Sequence, residues 1–220
     1  MFRDRDHAGR QLARLLRRYE GHDTVVLGIP RGGVPVACAL AQELRVPLDI
    51  VAVRKLPIPF DPEAGFGAVS PEGAVVLNEE LVRRIRIGPD EIQRIAAEVL
   101  REVQRREREY RRGREPVPLE GRTAFIVDDG LASGYTMLAA IDSALARGAG
   151  SVAVAVPCAS SSAVDRIRRR ASEVYCIARS DEPVFAVASF YDAFPDLTDD
   201  DVRSYLDCAA RDIEERQNHN

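Results

Sequence analysis

The sequence predicts an α/β protein, a central, mostly parallel sheet with helices on both faces. Three observations carry that expectation. Short, nearly all-apolar runs at residues 24–29, 48–53, 124–127, 151–156 and 173–178 have the length of buried strands rather than helices. Helical patterns at residues 34–44, 137–147 and 160–170 alternate with them, as right-handed crossovers in a parallel sheet require. Two of the apolar runs end in a glycine-bearing loop that opens directly into a helix. The 220 residues, 45% of them hydrophobic, suit one domain over residues 1–220, with an insertion at 56–120 and a distinct C-terminal segment at 180–220.

In chain order, residues 6–19 form an amphipathic helix with Leu12, Leu15, Leu16 and Tyr19 on one face and its arginines expected in water. The strand at 24–29 runs into Pro30-Arg31-Gly32-Gly33, then into a helix at 34–44 with Pro35 in its first turn. The strand at 48–53 delivers two adjacent cations, Arg54 and Lys55. Residues 56–73 hold four prolines, at 57, 59, 62 and 71, and read as an irregular, flexible lid. A short strand at 74–77 follows. After Gly88-Pro89 a helix runs to about residue 112, apolar on one face through Ile92, Ile95, Ala96, Val99 and Val103. Beyond Gln104 it is almost wholly charged, so its far end is expected to project into water or to meet a second copy of the chain in a homodimer. Residues 113–121 link back to the central strand. The segment from Ser180 concentrates Phe185, Phe190, Tyr191 and Phe194, four of the thirteen aromatic rings. Thr198 and the acids after it cap a final helix at about 202–215.

Residues 125–137, FIVDDGLASGYTM, are where chemistry concentrates. A strand, a tight glycine loop and a helix in that order leave backbone N–H groups unpaired at the positive end of a helix dipole, which favours an anion. Gly130 and Gly134 allow close approach of a ligand to the main chain, and Ser133 and Thr136 add hydroxyl donors. Asp128 and Asp129 would repel a phosphate, so they need a different target on the same ligand, a vicinal diol or a bridging divalent cation. Phosphate at one end and diol nearby describe a ribose 5-phosphate. The loop at 30–33 repeats the logic, with the Gly32 and Gly33 amides and the forked cation of Arg31 suited to phosphate oxygens. Two such loops at the carboxyl edge of one sheet can hold one ligand at both ends.

The residues 125–136 resemble the phosphoribosyl pyrophosphate (PRPP) motif of type I phosphoribosyltransferases, and Asp61-Pro62-Glu63 with residues 65–69 resembles a stand-alone subgroup of that family, although Asp61 and Gly65 depart from the subgroup's pattern. The resemblance implies transfer of the phosphoribosyl group of PRPP to a nitrogen acceptor in nucleotide metabolism, with Mg²⁺ as cofactor and release of pyrophosphate. It implies that Asp128 and Asp129 face the ribose and meet Mg²⁺ through water. Gly130, Ala132, Ser133, Gly134, Tyr135 and Thr136 would hold the 5-phosphate, and Arg31, Gly32, Gly33, Arg54 and Lys55 the pyrophosphate, with Lys55 and the two acids catalytic. It also implies a small C-terminal hood over the acceptor, where Phe190 and Tyr191 are the candidates for stacking. No residue is nominated as general base. The alternative is a sensor that keeps the PRPP pocket without turnover.

Other classes are disfavoured. A net charge of −4 with arginines interspersed among glutamates does not advertise nucleic acid, and Lys55, the only lysine, leaves none for a phosphate loop of the Walker type. Gly28-Ile29-Pro30-Arg31-Gly32-Gly33 does not fit the dinucleotide fingerprint. A receiver domain needs an aspartate ending another strand, where Pro30, Arg54 and Pro157 stand instead. Cys38, Cys158, Cys176 and Cys208 lack metal spacing to each other or to His7, His22 and His219, and are expected as reduced, mostly buried thiols. The charged N-terminus and the lack of a long apolar run suggest a cytoplasmic protein with no membrane partner.

Overall fold

The computed structural model describes residues 1–182 and 184–217, with 62, 63 and 213–217 through their backbone alone. The sequence readings of Pro62, Glu63 and His219 fall outside the described residues and side chains. The chain runs α1 (Arg5–Leu15), a 3₁₀ turn (Arg17–Tyr19), β1 (Thr24–Gly28), α2 (Gly33–Leu44), β2 (Leu48–Ile50), β3 (Arg54–Ile58), β4 (Asp61–Val69), β5 (Val75–Leu77), α3 (Glu79–Ile85) and α4 (Pro89–Arg111). It continues with β6 (Thr123–Val127), α5 (Tyr135–Ala146), β7 (Ser151–Ser160), α6 (Ser161–Ile167), β8 (Glu173–Ser180), a 3₁₀ turn (Val187–Phe190) and α7 (Asp199–Gln217).

Five strands form one all-parallel sheet in the order β2-β1-β6-β7-β8. Side chains alternate across it. Val25, Leu27, Ala124, Ile126 and Val154 face a core shared with α5 and α6, while Val26, Phe125, Val127 and Ala153 face one shared with α1, α2 and α7. Both faces are therefore dry, and every position of β1 is buried, the reason its sequence shows no polar alternation. The helix starts are fixed locally. Asp4 accepts from the His7 N–H at 2.7 Å, Ser160 from the Ala163 N–H at 3.2 Å, and Thr198 and Asp201 cap each other's amides at 3.1 and 2.8 Å.

Four expectations need correction. The strand at 48–53 stops at Ile50, and Arg54 and Lys55 instead open β3 in a second sheet. That sheet, in the antiparallel order β3-β4-β5, takes up most of the stretch read as an irregular lid. Pro57 is tolerated because β3 is an edge strand and the pairing register slips on either side of that residue. Leu56, Ile58, Phe66 and Val69 pack on Ile95, Ala96 and Val103 of α4, each fully buried side chain contributing about 1.5–3 kcal/mol, which gives three short strands the covered face they need. The far end of α4 does not project into water. Tyr110 and Arg111 are buried, and Arg111 donates to Asp49, which also accepts from Arg147 at 3.3 Å and the Val117 N–H at 3.0 Å. In α1, Leu15 leaves the apolar face and is 50% exposed. The helix α3, capped by Asn78 on the Leu81 N–H at 3.2 Å, has no counterpart in the sequence reading.

All four thiols are free, and burial pushes those of Cys38 and Cys158 up to about 12. No described helix is long and apolar enough to cross a membrane.

Candidate active site

The strands β1 and β6 are neighbours, yet the chain leaves β1 toward β2 on one side and leaves β6 toward β7 on the other. Crossovers that diverge in this way open a crevice at the carboxyl ends of the two strands. Gly28 is level with Val127, and the Ile29 N–H donates to the Val127 carbonyl at 2.9 Å, so both glycine loops leave the sheet at the same height.

The loops are in contact. A Cβ placed on Gly33 would lie 2.5 Å from the Val127 carbonyl oxygen and 2.8 Å from the Asp128 Cα, and one on Gly32 would lie 2.0 Å from Asp129 Oδ2. Real Cβ atoms do not come that close, so Gly33, which meets backbone, must be glycine, a side chain at Gly32 would displace the Asp129 carboxylate, and the acid pair lies directly against the first loop. The Pro30–Arg31 peptide is cis.

Asp128 Oδ1 accepts the Asp129 N–H at 2.9 Å. Burial, and then the neighbouring Asp129 charge, raise the Asp128 carboxyl well above the usual aspartate range. Burial raises Asp129 too, against the pull of Arg5, whose Nε donates to Asp129 Oδ2 at 2.9 Å. The buried Arg5 also donates to the Pro195 carbonyl at 2.7 Å and lies 3.7 Å over the Phe194 ring. Arg5 precedes the stretch read as an amphipathic helix, whose own arginines, Arg10, Arg14, Arg17 and Arg18, are exposed as expected. Two carboxyls crowded in this way, one of them without a cationic partner in direct contact among the described residues, favour an incoming cation or hydroxyl donors.

Beyond the acids, Ala132 and Ser133 are exposed and Tyr135 and Thr136 half-buried. Gly134 takes φ +83°, the left-handed region in which a side chain is strained. No described side chain caps α5, so its first amides are open to an anion. Ser160 Oγ donates to the Ala132 carbonyl at 2.7 Å, and Arg166 covers the Tyr135 ring while donating to the Ser133 carbonyl.

On the other side, Arg31, Arg54 and Lys55 line one cleft of about 960 Å³. Arg31 is exposed and 3.8 Å from Asp199, which accepts from the Tyr110 hydroxyl at 2.7 Å. A smaller cavity bounded by Leu48, Asp49 and Leu206 lies at the opposite, amino end of the strands and away from this chemistry. The two aromatic candidates are not both available for stacking. Tyr191 is buried between Phe2 and Phe194, and its hydroxyl donates to the Asp129 carbonyl at 2.6 Å, so it backs the acid loop instead of facing an acceptor. Phe190 is half-buried, with its ring centroid 5.4 Å from that of Phe185. The sequence reading missed Arg5, Tyr110 and Asp199, which meet the site only through contacts about 90 to 170 residues apart in sequence. Nothing local distinguishes Arg5 from the solvent-facing arginines beside it.

A parallel five-stranded sheet carrying these two loops has the architecture of the type I phosphoribosyltransferases. The phosphoribosyl transferase domain model matches residues 5–56 and 71–193, and the chain belongs to that family. The break in the match falls on the β3–β4 hairpin. The chain is 46% identical over 215 residues to proteins of Mycobacterium tuberculosis strains H37Rv and CDC 1551, each described as a candidate phosphoribosyl transferase. The match covers 98% of this chain and 48% of those proteins, so the chain spans about half the length of these relatives. The crystal structure of TT1426 from Thermus thermophilus is 40% identical, with a TM-score of 0.77 over 93% of this chain and 97% of that one.

Proposed function

We propose that the protein binds PRPP across the two glycine loops and transfers its phosphoribosyl group to a nitrogen acceptor of the nucleobase class, releasing pyrophosphate. The observation that carries this reading is the contact of Gly32 and Gly33 with Asp128 and Asp129, which lets one small ligand touch both loops.

In the reaction the bond from the anomeric carbon to pyrophosphate oxygen breaks, pyrophosphate leaves with the electron pair, and the acceptor nitrogen bonds to that carbon and then sheds its proton. The transition state carries positive charge on the sugar and growing negative charge on the leaving group, so catalysis is mainly electrostatic and positional. Asp128 and Asp129 hold the ribose hydroxyls and face the cationic ring. The exposed loop at Ala132 and Ser133, with the open amides leading into α5, holds the 5-phosphate. Arg31, the Gly32 and Gly33 amides, Arg54 and Lys55 take up the charge of pyrophosphate.

The donor set fits a magnesium ion. Mg²⁺ is usually bound by one or two carboxylates together with substrate phosphates and retained waters, and Asp128 and Asp129 offer that pair, crowded enough to gain from a cation. Once bound with substrate, the ion would neutralise the diphosphate as it leaves.

The test is incubation with PRPP and Mg²⁺ across purine, pyrimidine, pyridine carboxylate and amine acceptors, following pyrophosphate. Release with one acceptor class, abolished by Asp128→Asn with Asp129→Asn, is expected. Release that survives the double substitution ends the assignment of these roles, and PRPP binding without release from any acceptor identifies a sensor instead.

A further inference from the structure

The cleft that holds Arg31, Arg54 and Lys55 has a second wall, formed by Arg101 and Arg105 of α4. The sequence reading gave the charged part of this helix only a solvated face or a dimer contact. Glu98, Arg101, Glu102 and Arg105 fall at helical spacings of three and four, which puts them on one stripe of α4. The adjacent stripe, Ile95, Val99 and Val103, is packed into the core of the small sheet, and that packing fixes the charged stripe against the cleft.

Among the described residues the cleft's lining sets five cations against two carboxylates. Both carboxylates are partly committed. Glu98 is 3.6 Å from Arg94 outside the cleft. Glu102 accepts from Arg105 at 2.8 Å, Arg106 at 2.7 Å and Arg54 at 3.2 Å, and the first two hold its carboxyl down at about 2. Arg101 makes no ion pair among the described residues. A cleft lined mostly by one sign concentrates its field and calls for a multiply charged anion.

We propose that Arg101 and Arg105 form the far wall of a cradle for the diphosphate end of the substrate, and that Glu102 is the resident anion whose hold on Arg54 and Arg105 the diphosphate takes over. The inference rests on the reading that a sugar diphosphate crosses the two glycine loops. It assigns α4, outside both loop motifs, to the binding machinery. Arg101 and Arg105 are positioning residues for the leaving group, and Glu102 sets the affinity of the empty site.

The experiment measures, by calorimetry on the full chain with Mg²⁺, the affinity for inorganic pyrophosphate and separately for ribose 5-phosphate. Four proteins are compared: wild type, Arg101→Gln with Arg105→Gln, Glu102→Gln, and Arg169→Gln as a control at an exposed arginine outside the cleft. The double substitution is expected to weaken pyrophosphate by about tenfold or more, the scale of one lost charge-assisted hydrogen bond, and to leave ribose 5-phosphate unchanged. Glu102→Gln is expected to tighten pyrophosphate, a gain that merely loosening α4 cannot produce, and Arg169→Gln to change neither ligand. Raising the ionic strength should shrink the difference between wild type and the double variant. Wild-type pyrophosphate affinity in the double variant, equal losses for both ligands, or weaker binding by Glu102→Gln overturns the inference and leaves the loop reading standing. A wild-type protein that binds neither ligand overturns both.

Discussion

Replacing Gly33 by alanine tests the contact between the loops most directly. The added Cβ meets the Val127 carbonyl oxygen at 2.5 Å and the Asp128 Cα at 2.8 Å, both backbone atoms that no rotamer change can move. Restoring an ordinary contact of 3.4 Å to that oxygen requires the loop and β6 to part by about 0.9 Å. The same carbonyl accepts the Ile29 N–H at 2.9 Å, and the separation stretches that hydrogen bond beyond useful length. An unmade buried hydrogen bond costs about 1–3 kcal/mol and overpacking about as much. A loss of about 2–4 kcal/mol, or a Tm lower by roughly 5–15 °C for a chain of this size, is therefore expected. Activity should suffer more than stability, because a shift of about 1 Å between reacting groups costs on the order of 10²-fold in rate. The assay pairs thermal unfolding with pyrophosphate release, using Gly88→Ala, where no described atom lies within 4 Å of the new Cβ, as the near-neutral control. A Gly33→Ala protein that melts with wild type and turns over at the wild-type rate would show that the loops do not bear on each other.

Three further outcomes follow from the groups around the acids. Asp128 and Asp129 have pKa values raised above the ordinary 3.8, so the folded protein keeps protons that the unfolded chain sheds, and the stability they contribute is complete below that value and lost as pH rises through the folded pKa. Asp128→Asn should therefore melt above wild type at pH 8, with the gap closing toward pH 4; a variant that gains nothing at pH 8 counters the claim. Arg5→Met leaves Asp129 without its cation and should cost about 2–4 kcal/mol near neutral pH, less at pH 4, where protonation relieves the unpaired charge; a deficit independent of pH would assign Arg5 to packing alone. Tyr191→Phe removes only the hydroxyl bound to the Asp129 carbonyl and should cost about 1–2 kcal/mol in urea unfolding, whereas Tyr191→Ala, which also empties the space beside Phe2 and Phe194, should cost about 3–5 kcal/mol.

The parallel sheet and the two loops were legible because their causes are local. Strands buried on both faces are apolar without alternation, and a loop that touches another backbone must be glycine. Of the second sheet β5 was legible as the short strand at 74–77, but β3 and β4 were not, because the edge strand carries Pro57 at a register slip and β4 carries Gly65 and Gly67, residues that read as breakers unless the pairing partner is known. Gly67 is there because a side chain would strike the Val76 carbonyl at 2.4 Å. The setting of the acid pair was hidden for a different reason. Arg5, Pro195, Phe194 and Tyr191 converge from both ends of the chain, and no window of sequence contains that meeting. The charged half of α4 misled because a run of arginines and glutamates looks the same whether it faces water or a cleft.

Phe2 bridges Tyr191, donating its amide to the Phe190 carbonyl and accepting from the Asp192 amide, each at 2.8 Å, so two segments about 190 residues apart close a ring behind Asp129. A ribosome delivers the first half of that ring roughly 10–40 s before the second, at the usual rate of synthesis. For the last roughly 1–3 s of that interval all five central strands have been made and can pair while Arg5 still lacks the Phe194 ring and the Pro195 carbonyl that hold it in place. The scaffold of a nascent chain thus matures ahead of the corner that holds the acid pair, which sets only when residues 191–195 arrive.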